Sequence, residues 1–147
     1  MTTLSIREQI IQATINTIRP IADAHGAFVF RSPAIAVQKS QLPAVIVTSD
    51  KMVVTINNQT TARDLTLRVT AIAQRSDDEG SDELVDRLST AVTTALVKSG
   101  NLGGLCQTFA ETEVEYEVDE ADIAISELPV CFQAQFRTRR DDPTVKA

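Results

Sequence analysis

Covalent catalysis needs a nucleophile beside a base, and the chain holds one histidine, His25, and two cysteines, Cys106 and Cys131. A pairing of either thiol with His25 is the arithmetic minimum for a cysteine nucleophile. Nothing local supports it. His25 falls at the end of a helical pattern, where a cap or surface role fits. The cysteines lack CxxC spacing and read as buried free thiols. A lone histidine does not make a zinc site without partners at suitable spacing. No G-x-S-x-G, P-loop or G-x-G-x-x-G is present. Gly103 and Gly104 lie between a helix and a strand, whereas a phosphate cradle needs glycines leading into a helix N-terminus. No catalytic residue, metal site or cofactor follows from these residues, and the chain reads as a non-catalytic assembly protein.

The sharpest local signal is acidic. Glu111, Glu113, Glu115 and Glu117 alternate with Thr112, Val114, Tyr116 and Val118, and Asp119 extends the run. A regular strand puts all four carboxylates on one face. Like charges in a row repel, so that face stays wet or meets cations. Three readings fit: a solvated face, a surface facing a channel or lumen, and a Ca²⁺ or Mg²⁺ site. The third is geometrically poor, because oxygen ligands must converge on one ion and a flat row does not.

Two further segments carry surface chemistry. Arg137, Arg139 and Arg140 cluster after the last strand, either as solvated charge that guards a sheet edge or as a contact for an acidic partner or phosphate. Residues 57–63, with Asn57, Asn58, Gln59 and Arg63, form a polar loop, either a mobile hairpin tip or a segment ordered by a partner.

The elements that must position these residues follow from periodicity. Ser5 and Glu8 form an S-x-x-E capping box, and Ile6, Ile10, Ile11, Ile18 and Ile21 repeat at helical spacing. The pattern predicts that this helix ends or kinks just before Pro20. Short strands are expected at 28–30 and 34–37, then at 44–47 and 52–56 with Thr48-Ser-Asp-Lys51 as a turn. Residues 64–74 alternate Leu65, Leu67, Val69, Ala71 and Ala73 with polar side chains, a strand with one buried face. Ser81 caps a second helix whose stripe is Leu84, Val85, Leu88, Ala91, Val92, Ala95 and Leu96, with Gly100 at its C′ position. Two strands, about 108–119 and 123–139, form an antiparallel ribbon joined by Glu120-Ala-Asp. The fold class is therefore α+β, two helices packed on one face of a mainly antiparallel sheet in the order α-β-β-β-(β)-α-β-β. Residues 1–140 read as one domain and 141–147 as a flexible tail.

Composition bounds the rest. A chain of 147 residues is the usual size of one domain and needs no disulfide or metal to fold. Hydrophobic residues make up 43%, with five Phe, one Tyr and no Trp, so the core is mostly aliphatic. The net charge of -6 argues against tight binding of DNA or RNA, which calls for a basic face. No stretch reaches the ~18 apolar residues of a membrane span. The start lacks a basic segment followed by an apolar run, which places the protein in the cytoplasm.

An opening amphipathic helix leads into Leu42-Pro-Ala-Val-Ile-Val47. The long strand 65–73 and an acidic turn into helix 81–99 follow. Leu102-Gly-Gly-Leu105 then leads to the Glu-rich strand, and the last strand ends in Phe136-Arg-Thr-Arg-Arg-Asp-Asp-Pro143. In this order and texture nearly the whole chain resembles the small tail-terminator and tail-completion proteins of long-tailed bacteriophages. The resemblance implies a structural subunit of a homo-hexameric ring that caps the tail tube protein and presents a surface to the head–tail connector protein. It places the chain in a virion tail assembled in the bacterial host cytoplasm. DNA would be passing cargo, and Glu111, Glu113, Glu115 and Glu117 would face its passage and repel it. Subunit or partner contacts are expected from the edge 28–37, the loop 57–63 and the arm 137–143. A head–tail adaptor is the near alternative. A small ligand-binding or regulatory α+β domain is the alternative of another class.

Overall fold

A computed structural model describes residues 3–32, 37–76, 79–115 and 125–147. Helix α1 spans Ile6–Ala24. Its start is fixed by the Ser5 hydroxyl, which accepts the Glu8 N–H at 3.1 Å. The expected box is only half formed, because the Glu8 carboxylate turns away to take both Nη groups of Arg31. That pairing holds the Glu8 carboxyl below its ordinary range. The helix runs through Pro20 rather than ending there. Pro20 lies on the exposed side, while Ile18 and Ala22 are fully buried on either side of it, and their packing offsets the lost hydrogen bond. The end is a Schellman turn: Ala27 N–H reaches Ala22 O at 2.8 Å and Gly26 N–H reaches Asp23 O at 3.1 Å. Gly26 takes a φ of +67° to allow it.

Strand β1, Phe28–Arg31, pairs in parallel with β2, Ala44–Ile56. A short 3₁₀ turn, Lys39–Gln41, and a cis Leu42–Pro43 peptide precede β2. The two strands expected at 44–47 and 52–56 are one. Residues 48–51 are not a turn: the ladder continues through them with a bulge at Asp50. Arg68 on the facing strand stabilises the bulge, its Nε donating to the Asp50 carboxylate at 3.1 Å. Strand β3, Thr60–Gln74, begins four residues before the alternating run and forms a tight hairpin with β2.

Helix α2 spans Ser81–Lys98, but its N-cap is Gly80 and not Ser81. Ser81 sits one position inside, buried, with its hydroxyl 2.8 Å from that of Ser126. The expected Gly100 does take the left-handed conformation, at φ +69°. The connector 101–105 turns sharply, with Leu102, Gly103 and Gly104 all at positive φ. Leu102 is buried, and that packing holds it in a backbone region that costs a side chain about 1–2 kcal/mol.

Strand β4, Thr108–Val114, pairs antiparallel with β5, Ile125–Arg139. The expected turn at 120–122 lies outside the described residues. Residues 141–147, expected as a tail, contribute strand β6, Asp142–Lys146, which pairs with the end of β5. Ala147 N–H reaches Arg137 O at 3.1 Å, and the Lys146 ammonium bonds Gly104 O. The sheet order is β1-β2-β3-β5-β4, with β6 also on β5. Since β3 takes one edge of β5 along its whole length, β4 and β6 share the other.

The core lies between the helices and one face of this sheet, as the class α+β implies. Leu65, Leu67, Val69, Ala71 and Ala73 of β3 line that face beside Leu128, Val130, Phe132, Ala134 and Phe136 of β5. Their cover is Ile10, Ile15 and Ile18 of α1 with Val85, Leu88, Val92 and Leu96 of α2. The Phe109 and Phe132 rings stack at 5.3 Å. Among the described residues, no helix is long and apolar enough to cross a membrane.

Two stability outcomes follow. Ser5→Ala should lower the urea-unfolding free energy by about 0.5–2 kcal/mol. Deleting residues 142–147 should lower the melting temperature by several degrees, since a flexible tail would leave it unchanged and a paired strand would not.

Candidate functional site

The hairpin tip and the basic arm form one surface. The β2–β3 hairpin turns at Asn57, Asn58 and Gln59, with Asn57 N–H on Thr60 O at 2.9 Å. Residues 60–63, expected in the loop, belong to β3, so the tip is short. Thr60 faces Arg139 in the next strand and Ala62 faces Arg137. Arg140 then closes over the tip: its N–H donates to Gln59 O at 3.2 Å and its Nη1 to Asn58 O at 3.4 Å. Arg139 turns to Asp141 at 3.3 Å. Gln59, Thr60, Arg139, Arg140, Asp141 and Ala147 line a shallow, open depression there. Arg63 is separate from this group. It falls one step out of phase with Arg137, on the helix side of the sheet, where its Nε donates to the buried Thr138 hydroxyl at 3.1 Å.

The acidic row is split. The ladder steps from Glu111 opposite Phe132 to Glu113 opposite Cys131, so Thr112 is an extra residue in a bulge. Directly paired residues share a face. Glu111 therefore lies on the helix side with Phe132, and Glu113 on the opposite side with Cys131. Glu115 is on that opposite side too, where it meets Arg68 Nη1 at 3.1 Å. The expected single face of carboxylates is corrected by this one-residue slip, and Glu117 lies outside the described residues. A bulge has no composition signature strong enough to read from a strand of alternating residues.

Arg68 is the hub of the face opposite the helices. It donates to Asp50 on one side and to Glu115 on the other, joining β2, β3 and the end of β4. Asp50 chiefly raises the Arg68 pKa.

The thiols and the histidine are structural. The His25 backbone caps α1, and its Nδ1 lies 3.0 Å from Ile21 O. Burial pushes the Cys106 thiol up to about 11 and also raises that of Cys131. Among the described residues, no three His, Cys, Asp or Glu side chains are grouped to hold a metal ion.

One surface feature escaped the sequence reading. Val53, Val54 and Ile56 are 56%, 45% and 62% exposed on the outer half of β2. The signal was the run Met52-Val-Val-Thr-Ile56, which has no polar alternation and so no face suited to water.

No protein-family model matches the chain, and no curated protein matches it. Among solved structures, a chain from the virion of a native gene transfer agent (GTA) particle shares its fold. The TM-score is 0.59 at 15% sequence identity, over 84% of this chain and 91% of that one. Identity this low makes the likeness one of fold.

The raised thiol values give a direct check. At pH 8 roughly one in a thousand Cys106 side chains is thiolate. An exposed-thiol reagent should leave both cysteines unmodified in the native protein and modify both after unfolding.

Proposed function

We propose that this chain is a structural virion protein of the tail-terminator kind. It closes into a ring on the end of a tail tube and forms the joint to the head connector. The supporting observation is the shared fold with the gene transfer agent virion chain, which extends over most of both chains rather than one motif. The texture resemblance to tail-terminator proteins points the same way. The side chains that could have carried catalysis are a helix-end histidine bonded to its own helix and two buried thiols.

In this reading the helices face outward and the opposite sheet face lines the passage for DNA. Glu113 and Glu115 belong to that face, and Glu111 does not. Arg68 is shared between Asp50 and Glu115 and only partly offsets them, whereas Glu113 has no ion-pair partner among the described residues and would repel passing phosphate most directly. The tip of Asn57, Asn58 and Gln59, with Arg139 and Arg140 packed over it, projects at one end of the sheet. It suits contact along the ring axis with the tube or the connector.

Electron microscopy of the protein alone and incubated with tail tubes of its virion tests the reading. Rings capping tubes are expected, and capped tubes should stop lengthening. If the protein leaves the tubes bare and binds the connector alone, it is an adaptor. If it binds neither, the virion-joint reading fails. Arg139→Glu/Arg140→Glu should leave the fold intact and weaken capping at least about tenfold, or ~1.4 kcal/mol.

A further inference from the structure

Among the described residues, this sheet ends in two unsatisfied edges of opposite character. From residue 48 onward β2 pairs only with β3, because β1 covers no more of it than residues 44–47. The free stretch carries Lys51 and the exposed Val53, Val54 and Ile56. A long, exposed, apolar edge is a template for another strand. At the far side β4 pairs only with β5. Its exposed edge carries Glu111 and Glu113, neither of which has an ion-pair or hydrogen-bond partner among the described residues. No basic residue lies on β4. On β2 itself the one acid, Asp50, is held by Arg68; Asp64 of the neighbouring β3 has a long contact to the Gln135 amide, at 3.5 Å, and keeps its other oxygen unpartnered. The cation of the free stretch, Lys51, lacks such a partner among the described residues.

We infer that residues 51–56 of β2 pair with the β4 edge of a second copy of this chain, head to tail around the ring. The inference rests on the ring reading above. Strand polarity agrees with it. β2 and β5 run one way, and β3 and β4 the other. Copies of equal polarity therefore bring β2 beside β4 antiparallel, the prevailing geometry of the sheet. The levels agree as well. Lys51, Thr66, Gln133 and Ala110 form one cross-strand row, and Val53, Asp64, Gln135 and Thr108 form another. A stagger of about two residues, of the kind strand tilt imposes on closed sheets, brings Glu113 level with Lys51 on the face opposite the helices, and Glu111 level with Met52 on the helix face. The two patches differ, so the contact is heterologous and generates a ring when the rotation closes.

A charge exchange tests the pairing. Val53→Glu/Val54→Glu sets acid against the acidic edge, and Glu111→Lys/Glu113→Lys sets base against Lys51. All four positions are exposed, and circular dichroism checks that each variant folds. Each double variant alone should form at least tenfold fewer rings than the unaltered protein, counted free and on tubes. An equimolar mixture should regain them, because every altered edge then meets its altered complement and every unaltered edge an unaltered one. Rings at the unaltered level from either variant alone would overturn the inference. So would a mixture without rings while the unaltered protein forms them. If the β2 variant still closes rings but no longer caps tubes, that edge meets a tube subunit; the inference then fails and the ring reading stands. If the unaltered protein forms no rings under either condition, the ring reading and the inference fail together.

Discussion

The structure depends on one pairing, the antiparallel ladder that joins β3 and β5 from Thr60 opposite Arg139 to Gln74 opposite Ile125. It runs without a register shift. Because side chains alternate along a strand, an unbroken register divides the residues of both strands cleanly between two faces. One face carries Leu65, Leu67 and Val69 with Val130, Phe132 and Ala134, and the two amphipathic helices cover it. The other carries Arg68 and its carboxylate partners. A slip of one residue in this ladder would expose the core row and bury Arg68, so the pairing determines both the packing and the charged face.

Everything outside that ladder is adjusted locally. β2 and β4 each carry a bulge, at Asp50 and Thr112, where they lie against the regular pair. Bulges bend and twist a strand, which is typical of sheet edges. The free edge of β5 left by the short β4 is closed by β6, and Lys146 ties that strand to the turn at Gly104. The strands without outer neighbours carry the residues proposed for assembly. The helices and the central ladder, apart from its end at Arg139, are occupied with stability.

Legibility in the sequence followed physical locality. The α+β class, both helix stripes and the β3 alternation were readable, because a period of 2 or 3.6 is written directly into which residues are apolar. The Ser5 cap was readable for the same local reason. Its partner was not: Glu8 had a stronger option in Arg31, 23 residues away in the chain. Pro20 misled because the rule for proline concerns an isolated helix, whereas buried Ile18 and Ala22 hold this one. The Thr112 bulge and the β6 pairing depend on what lies across the sheet. The acidic row was therefore found as a set of residues but assigned to a single face, where the bulge divides it between two. The loop and the arm were found separately. Only the β3–β5 register shows that Asn58, Gln59 and Arg140 form one surface.

Arg68 has a consequence that concerns solution conditions. Its partners are Asp50 in β2 and Glu115 just past the end of β4, and all three side chains are about one-third exposed. Mobile ions screen such partly open pairs over a Debye length of about 8 Å at physiological ionic strength. Added salt therefore weakens this charged tie across the face opposite the helices, while the backbone ladders that set the strand spacing are barely affected. The charge that this face presents is more sensitive to its ionic surroundings than the fold is.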